Sequence, residues 1–290
     1  MANSIFKKLL TLPAKLKQGE FSNLIKKRNE TFWKAQDVET VRALILNASD
    51  PIDKWKQGEN WQRKLSNKYN SREFAKKHGC KVAELYWKGR DINTIDFDTL
   101  PPQFVIRPTK GHSLGFVFLI DNSVNLMDGK TYSKEDIKKT LAKALDENEK
   151  LEFLIEEFLK TEEGLHKIPT DYKFYMFDGQ IASIQVISRL NSSKASNTWY
   201  DETWNPMLNL TSNYPIGSIQ APPKCLPEMI EDVKRLSKAY EIFARIDFYA
   251  TDKGAVFGEF TPTPAVGNGF TPDGDKLLTS YWDRYCKGKI

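Results

Sequence analysis

The chain has 290 residues, 40% hydrophobic and 28% charged, with 7 Trp, 11 Tyr and 17 Phe, the balance of a folded protein rather than a disordered one. No apolar run approaches the roughly 20 residues that span a bilayer, and Cys80, Cys225, Cys286 and the three histidines lack the spacing of a disulfide framework or a zinc site. The net charge of +5 is spread along the chain instead of gathered on one element among aromatics, which argues against a nucleic-acid face and fits an anionic small-molecule partner.

Residues 1–60 read as helical and basic. Ile5, Phe6, Leu9 and Leu10 recur at helical spacing among lysines until Pro13 interrupts them. Two readings are open for residues 1–20: a helix on an anionic membrane, or, preferred, one packed on the protein's own core. The segment lacks a secretory apolar stretch, so a cytoplasmic protein is expected, with peripheral contact of residues 1–20 at the inner face of the membrane as the less favoured option. A helix over 64–79 ends at Gly79.

From residue 103 strands take over. "QFVIRP" and "FVFLI" flank a loop with Gly111, Ser113 and Gly115. Ser133 with Asp136 begins a helix as a capping box, and "LEFLIEEFL" follows as a buried strand. "DYKFYMF" and "QIASIQVIS" flank Asp178-Gly179, a two-residue hairpin signal. Residues 190–222, rich in Asn, Ser, Thr and Pro, read as an irregular excursion of the length functional loops have. A helix over 226–240 leads into a last hairpin, "FARIDFYATDKGAVFGEFTPTP". The order predicts an α+β fold with antiparallel sheets.

Four segments carry chemistry. Glycines at 111 and 115 with Ser113 let backbone N–H groups approach phosphate, with Arg107 and Lys110 adding charge; ordinary turn glycines are the alternative. "LIEEFLKTEEG" could be a hinge that receives a nucleobase, or a strand running into solvent. In "DYKFY", Asp171 and Lys173 point away from the aromatics, as ligand-facing groups or as a cross-strand pair. In the last hairpin Arg245 and Asp247 share a face, Glu259 and Thr261 do the same on the second strand, and Asp247 can stand opposite Glu259. Two converging carboxylates repel without a cation between them, and hard oxygens beside a triphosphate suit Mg²⁺. A structural Arg–Asp–Glu network is the alternative. Repulsion predicts that Glu259→Gln leaves the metal-free fold as stable or more so.

In this order, "FVIRPTKGHSLG", "LIEEFL", "DYKFYMFDGQI" with "WYDETW", and "FARIDFY…FGEFTPTPAVG" resemble the ATP-grasp superfamily. The resemblance is strongest to its TupA-like branch, associated with teichuronopeptide and surface-polysaccharide synthesis. The last segment is also similar to the end of D-alanine ligases, and the likeness covers about residues 60–275. It implies two antiparallel-sheet lobes holding ATP between them, preceded by an N-terminal helical segment. The implied division is a helical segment 1–60, a lead-in 61–102, a first lobe 103–160 with flap and hinge, and a second lobe 161–290 with the metal and substrate site.

The resemblance further implies a ligase that joins a carboxylate to an amine through an acyl phosphate, for surface-polysaccharide or peptide biosynthesis. A phosphotransferase on the same scaffold, or a nucleotide-binding module without turnover, is the alternative. ATP would meet Arg107, Lys110, Gly111, Ser113, Gly115, Glu156, Glu157, Leu159 and Glu163. Asp247, Glu259 and Thr261 would hold one or two Mg²⁺ ions. Arg245 would stabilise the oxyanion, and Asp171, Lys173 and Arg189 would form the substrate pocket. Arg107 stands where the superfamily commonly has Lys, and Thr261 where it usually has Asn.

Overall fold

The computed structural model describes residues 19–111, 116–191 and 193–290. The expected basic helix near the start, together with Ser113 and Gly115, lies outside the described residues. Among the described residues no helix is long and apolar enough to cross a membrane.

Helices α1 (Glu20–Trp33), α2 (Val38–Ala43) and α3 (Ile52–Lys56) come first, then a 3₁₀ turn over Trp61–Ser66 and α4 (Lys68–Lys77). The helix expected over 64–79 therefore starts late. Asn67 interrupts it by accepting the Tyr69 N–H at 2.9 Å as an N-cap, and Gly79 stops it with φ +80°.

The first sheet has six strands in the order β1-β6-β2-β3-β4-β5: β1 (Leu85–Gly89), β2 (Gln103–Pro108), β3 (Phe118–Asp121), β4 (Val124–Asn125), β5 (Lys130–Thr131) and β6 (Phe153–Glu157). Helix α5 (Lys134–Glu147) covers one face, and the Ser133–Asp136 capping box forms as expected. Period-two alternation divides the side chains. Phe104, Ile106, Phe153 and Ile155 pack with Ile137 and Leu141 of α5. Val105, Arg107, Leu154 and Glu156 occupy the other positions of the same strands, with Val105 opposite Glu156.

The second sheet has five strands in the order β11-β10-β7-β8-β9: β7 (Asp171–Phe177), β8 (Gln180–Arg189), β9 (Ala195–Tyr200), β10 (Ala244–Thr251) and β11 (Gly254–Thr261). All strand pairs of both sheets are antiparallel, in the α+β class expected. Asp178 and Gly179 join β7 to β8 with φ of 48° and 86°, the left-handed pair such a tight hairpin needs. Phe174, Ile184, Val186, Ile246 and Phe248 form a core with α6 (Leu226–Tyr240) and with Trp55, Trp61 and Phe74 of the N-terminal helices. At one end of the opposite face, Tyr175, Phe177 and Trp199 are covered by Phe21 of α1 and Trp282 of α7 (Pro272–Tyr285).

Two features differ from the sequence reading. The excursion over 190–222 contains β9, whose Ser, Asn and Thr hide an alternating strand; Asn197 and Trp199 are buried and joined, the indole N–H donating to Asn197 Oδ1 at 2.7 Å. Helix α7 follows the last hairpin, where no element was expected; Thr271 caps it and Pro272 opens it.

Candidate functional site

Between the cavity-facing sides of the two sheets lies a cavity of about 440 Å³. Val105, Leu119, Met127, Phe158 and Leu159 form an apolar stretch on one wall, beside Arg107 and Glu156; the β7–β10–β11 strands make the other wall charged.

The hairpin supplies the charged wall. Asp247 pairs directly with Glu259, Arg245 with Thr261, and Lys173 of β7 lies beside Asp247. Phe257 and Glu259 are two apart and would share a face in a regular strand. The register shift after Asp247 inserts Gly258 as an extra residue, so Phe257 packs into the core, bordering the cavity, while Glu259 turns its carboxylate toward Arg245. A Cβ at Gly258 would stand 3.0 Å from the Asp247 carbonyl oxygen, which keeps the position small.

Asp247 is buried. Arg245 donates to it from Nε at 2.7 Å and Nη2 at 2.8 Å, and Lys173 Nζ donates at 2.5 Å. The Arg245 Nη2 also reaches Glu259 Oε1 at 3.2 Å and Thr261 Oγ1 at 2.8 Å. Cations therefore stand among the acids, and the expected repulsion is absorbed. Glu259 is enclosed by the cavity walls yet keeps a third of its side chain open to the cavity. Burial pushes its carboxyl up, but Lys68, Arg245, Lys173 and Arg107 outweigh that and hold it at about 2.

On the opposite wall, Arg107 donates from Nε to Glu156 Oε2 at 2.6 Å, and Arg72 of α4 approaches Glu156 Oε1 at 3.5 Å. Both oxygens of Glu156 thus meet arginines before any ligand does. Glu157 pairs with Lys253 of the β10–β11 turn and accepts the Glu84 N–H at 3.2 Å, which ties the two sheets together. At the far end Asp171 accepts from Arg189 Nε at 3.4 Å and lies 3.6 Å from Lys173 Nζ, while Arg189 Nη2 donates to the Tyr214 hydroxyl at 3.1 Å.

The structure gathers Arg107, Gly111, Glu156, Glu157, Leu159, Asp171, Lys173, Arg189, Arg245, Asp247 and Glu259 around this cavity, with Thr261 bonded to the cluster from its edge. Lys110 and Glu163 are not among its lining residues. After Thr109, whose N–H is tied to the Glu152 carbonyl, Lys110 sits in the field of Arg90, Glu152, Glu39 and Arg42. Glu163 is exposed on a turn. Lys173, read as a substrate contact, is engaged by Asp247.

Sequence reasoning missed Lys68, Tyr214 and Gln185, which also line the cavity. Lys68, at the start of α4, donates from Nζ to the Gly111 carbonyl at 2.7 Å, and its backbone N–H bonds Thr109 O at 2.7 Å. Its lysine-rich surroundings resemble any solvated helix, so no local signal marks it. Tyr214 was reachable through the excursion it belongs to.

Two carboxylates on adjacent strands facing a cavity, with a hydroxyl at their edge, are a hard-oxygen donor set of the kind Mg²⁺ takes alongside phosphate oxygens. Among the described residues no group of three or more His, Cys, Asp or Glu could cage a metal unaided. The residues present fit an ion shared with a triphosphate, with Glu259 the open donor and Asp247 a donor whose oxygens Arg245 and Lys173 already engage.

D-alanine–D-alanine ligase from Bacillus anthracis complexed with ATP superposes with a TM-score of 0.51 at 14% identity, over 79% of this chain and 67% of that one. A second structure of that ligase gives 0.52 at 16%, over 79% and 70%. At such identities the likeness establishes the fold. No curated protein matches the sequence. The description TupA-like ATPgrasp matches residues 51–282, which takes in both sheets and the whole cavity. The chain belongs to the TupA-like ATP-grasp family, and its two antiparallel sheets are the ATP-grasp fold.

Proposed function

We propose that the protein is an ATP-dependent carboxylate–amine ligase. The observation that carries this is the Arg245–Asp247–Glu259 cluster, set across two strands and facing a cavity whose opposite wall sets an apolar stretch beside Arg107 and Glu156. Adenine fits the apolar side by Val105, Leu119, Met127, Phe158 and Leu159, and the triphosphate runs toward Lys68 and Arg107. Asp247 and Glu259 would hold Mg²⁺, with Thr261 adjoining. Bound there, the ion neutralises charge on the phosphate oxygens.

The substrate carboxylate oxygen attacks the γ-phosphorus, its new O–P bond forming as the bond to the departing ADP breaks. The amine nitrogen then attacks the acyl carbon, phosphate leaves with the former carboxylate oxygen, and the nitrogen loses a proton. Such transfer needs positioning and charge stabilisation more than a protein nucleophile. Arg245 is locked by its Nε and Nη2 bonds, and Nη1 is the donor for the oxyanion of the tetrahedral intermediate. Arg189, held by Asp171 and Tyr214, gives the far end a cation for a sugar acid or an amino acid, and an amino acid supplies the amine. Work at the inner face of the membrane in surface-polysaccharide or peptide synthesis is the setting this chemistry suits.

Incubation with MgATP, candidate acids labelled with ¹⁸O in the carboxylate, and amino acids tests the proposal. The expected result is an amide product with ¹⁸O in the released phosphate. ADP formed with a phosphorylated product and no need of an amine would identify a phosphotransferase instead, and no product from any pair would overturn turnover itself.

A further inference from the structure

Helix α1 precedes the matched residues 51–282, yet it grips the open end of the site hairpin. Arg28 is wholly buried, its guanidinium carbon 4.5 Å from the centre of the Trp282 ring and 5.5 Å from that of Phe243. Its Nη1 donates to the Phe243 carbonyl at 2.7 Å and reaches the Pro262 carbonyl at 3.5 Å. Phe243 stands two residues before Arg245, and Pro262 follows Thr261. The backbone pairing of β10 with β11 has its last rung at Arg245–Thr261. The guanidinium therefore joins the two strands just beyond that rung.

A buried cation is costly without a partner carboxylate, and Arg28 has no ion pair among the described residues, with Nε and Nη2 lacking hydrogen-bond partners. An apolar side chain could fill the slot against Trp282, so packing alone does not account for it.

The loop leaving the hairpin is held by the same helix. Thr263 Oγ1 donates to Asn29 Oδ1 at 3.4 Å, and a Cβ at Gly267 would stand 2.4 Å from the Ser22 carbonyl oxygen. Helix α1 is itself anchored by Asp275 of α7, which accepts the Phe21 and Ser22 N–H groups at 3.1 and 2.9 Å. Within the loop Ala265 and Val266 have φ of 47° and 49°, left-handed values that non-glycine residues keep only where their surroundings impose them. Pro264 and Ala265 line the cavity.

We infer that Arg28 and Asn29 are positioning residues: through them α1 braces the 262–267 loop and the hairpin end bearing Arg245, and so shapes the substrate side of the cavity. The kinetic consequence rests on the ligase reading; the structural consequence does not. Arg28→Met keeps length and ring contact while removing the carbonyl bonds. Hydrogen exchange of its amides over 262–268 is expected to quicken at least tenfold with the β7–β8 hairpin unchanged. The KM for the acid or the amine rises at least fivefold while MgATP affinity stays within twofold. Should the wild-type protein form no amide, the exchange measurement still decides. Uniform acceleration along the chain, or unchanged exchange over 262–268, would reduce α1 to a packing helix and overturn the inference. If Arg28→Met does not fold, Asn29→Ala, which removes only the contact to Thr263, is judged by the same readings.

Discussion

Like charges set opposite each other on neighbouring strands repel, and for Asp247 and Glu259 that repulsion would favour Glu259→Gln in the metal-free protein. The surroundings reverse the sign. Burial disfavours the Glu259 charge, but four cations more than offset it, and the carboxyl lies at about 2 against 4.5 for an ordinary one. A folded-state pKa below the unfolded value contributes stability that is fully present above about pH 4.5 and lost as pH falls through 2. Thermal unfolding of the wild type is thus expected to fall steeply between those limits. Glu259→Gln should be less stable at neutral pH and shallower across that window. Its turnover should drop roughly a thousandfold, as when a preorganised charge contact is lost in a polar site. A variant as stable as the wild type at pH 7, with the same acid profile, would contradict the electrostatic account.

Helix α5 shows how far local rules reach. Ser133 accepts the Asp136 N–H at 3.1 Å, and the Asp136 carboxylate accepts the Ser133 N–H at 3.0 Å. Ser133→Ala is expected to cost about 1 kcal/mol of stability, read from denaturant unfolding, with MgATP affinity unchanged because α5 packs on the far side of the first sheet. The Asp178-Gly179 hairpin is equally local. Strand β9 and helix α7 are not. β9 takes its shape from pairing with β8 and from residues 215–217 lying along Asn197, whereas its composition resembles a loop. Thr271-Pro272 begins α7 with an ordinary cap, but its face becomes meaningful only where Trp282 meets Phe21, Phe177 and Arg28.

The cavity belongs to neither sheet alone. Glu157 to Lys253 and Lys68 to the Gly111 carbonyl bridge its rim, and each sheet supplies one wall, so a nucleotide bound there touches both sheets. Binding to the folded state only should raise stability by about 2.7 kcal/mol at a hundred times the dissociation constant. A thermal shift with MgATP is expected to exceed that with ATP alone, and the difference should shrink in Glu259→Gln. Equal shifts with and without Mg²⁺ would remove the metal from the site.

Relations between residues close together in the chain are legible in the sequence by itself. Alternation set Arg245 and Asp247 on one face, and the capping box and Asp178-Gly179 marked their elements, because each depends on a few neighbouring backbone angles and hydrogen bonds; the direct pairing of Glu259 with Asp247 needed the extra residue Gly258 as well. Partners far apart in sequence were decided by packing. Lys173 met Asp247, Glu156 met Arg107 and Arg72, Lys110 and Glu163 fell outside the cavity lining, and Lys68 came to it from α4. No spacing rule carries that information, since the charge of a lysine or glutamate is the same wherever it stands. Its partner is chosen by which strands lie side by side and by which buried charges would otherwise remain unpaired.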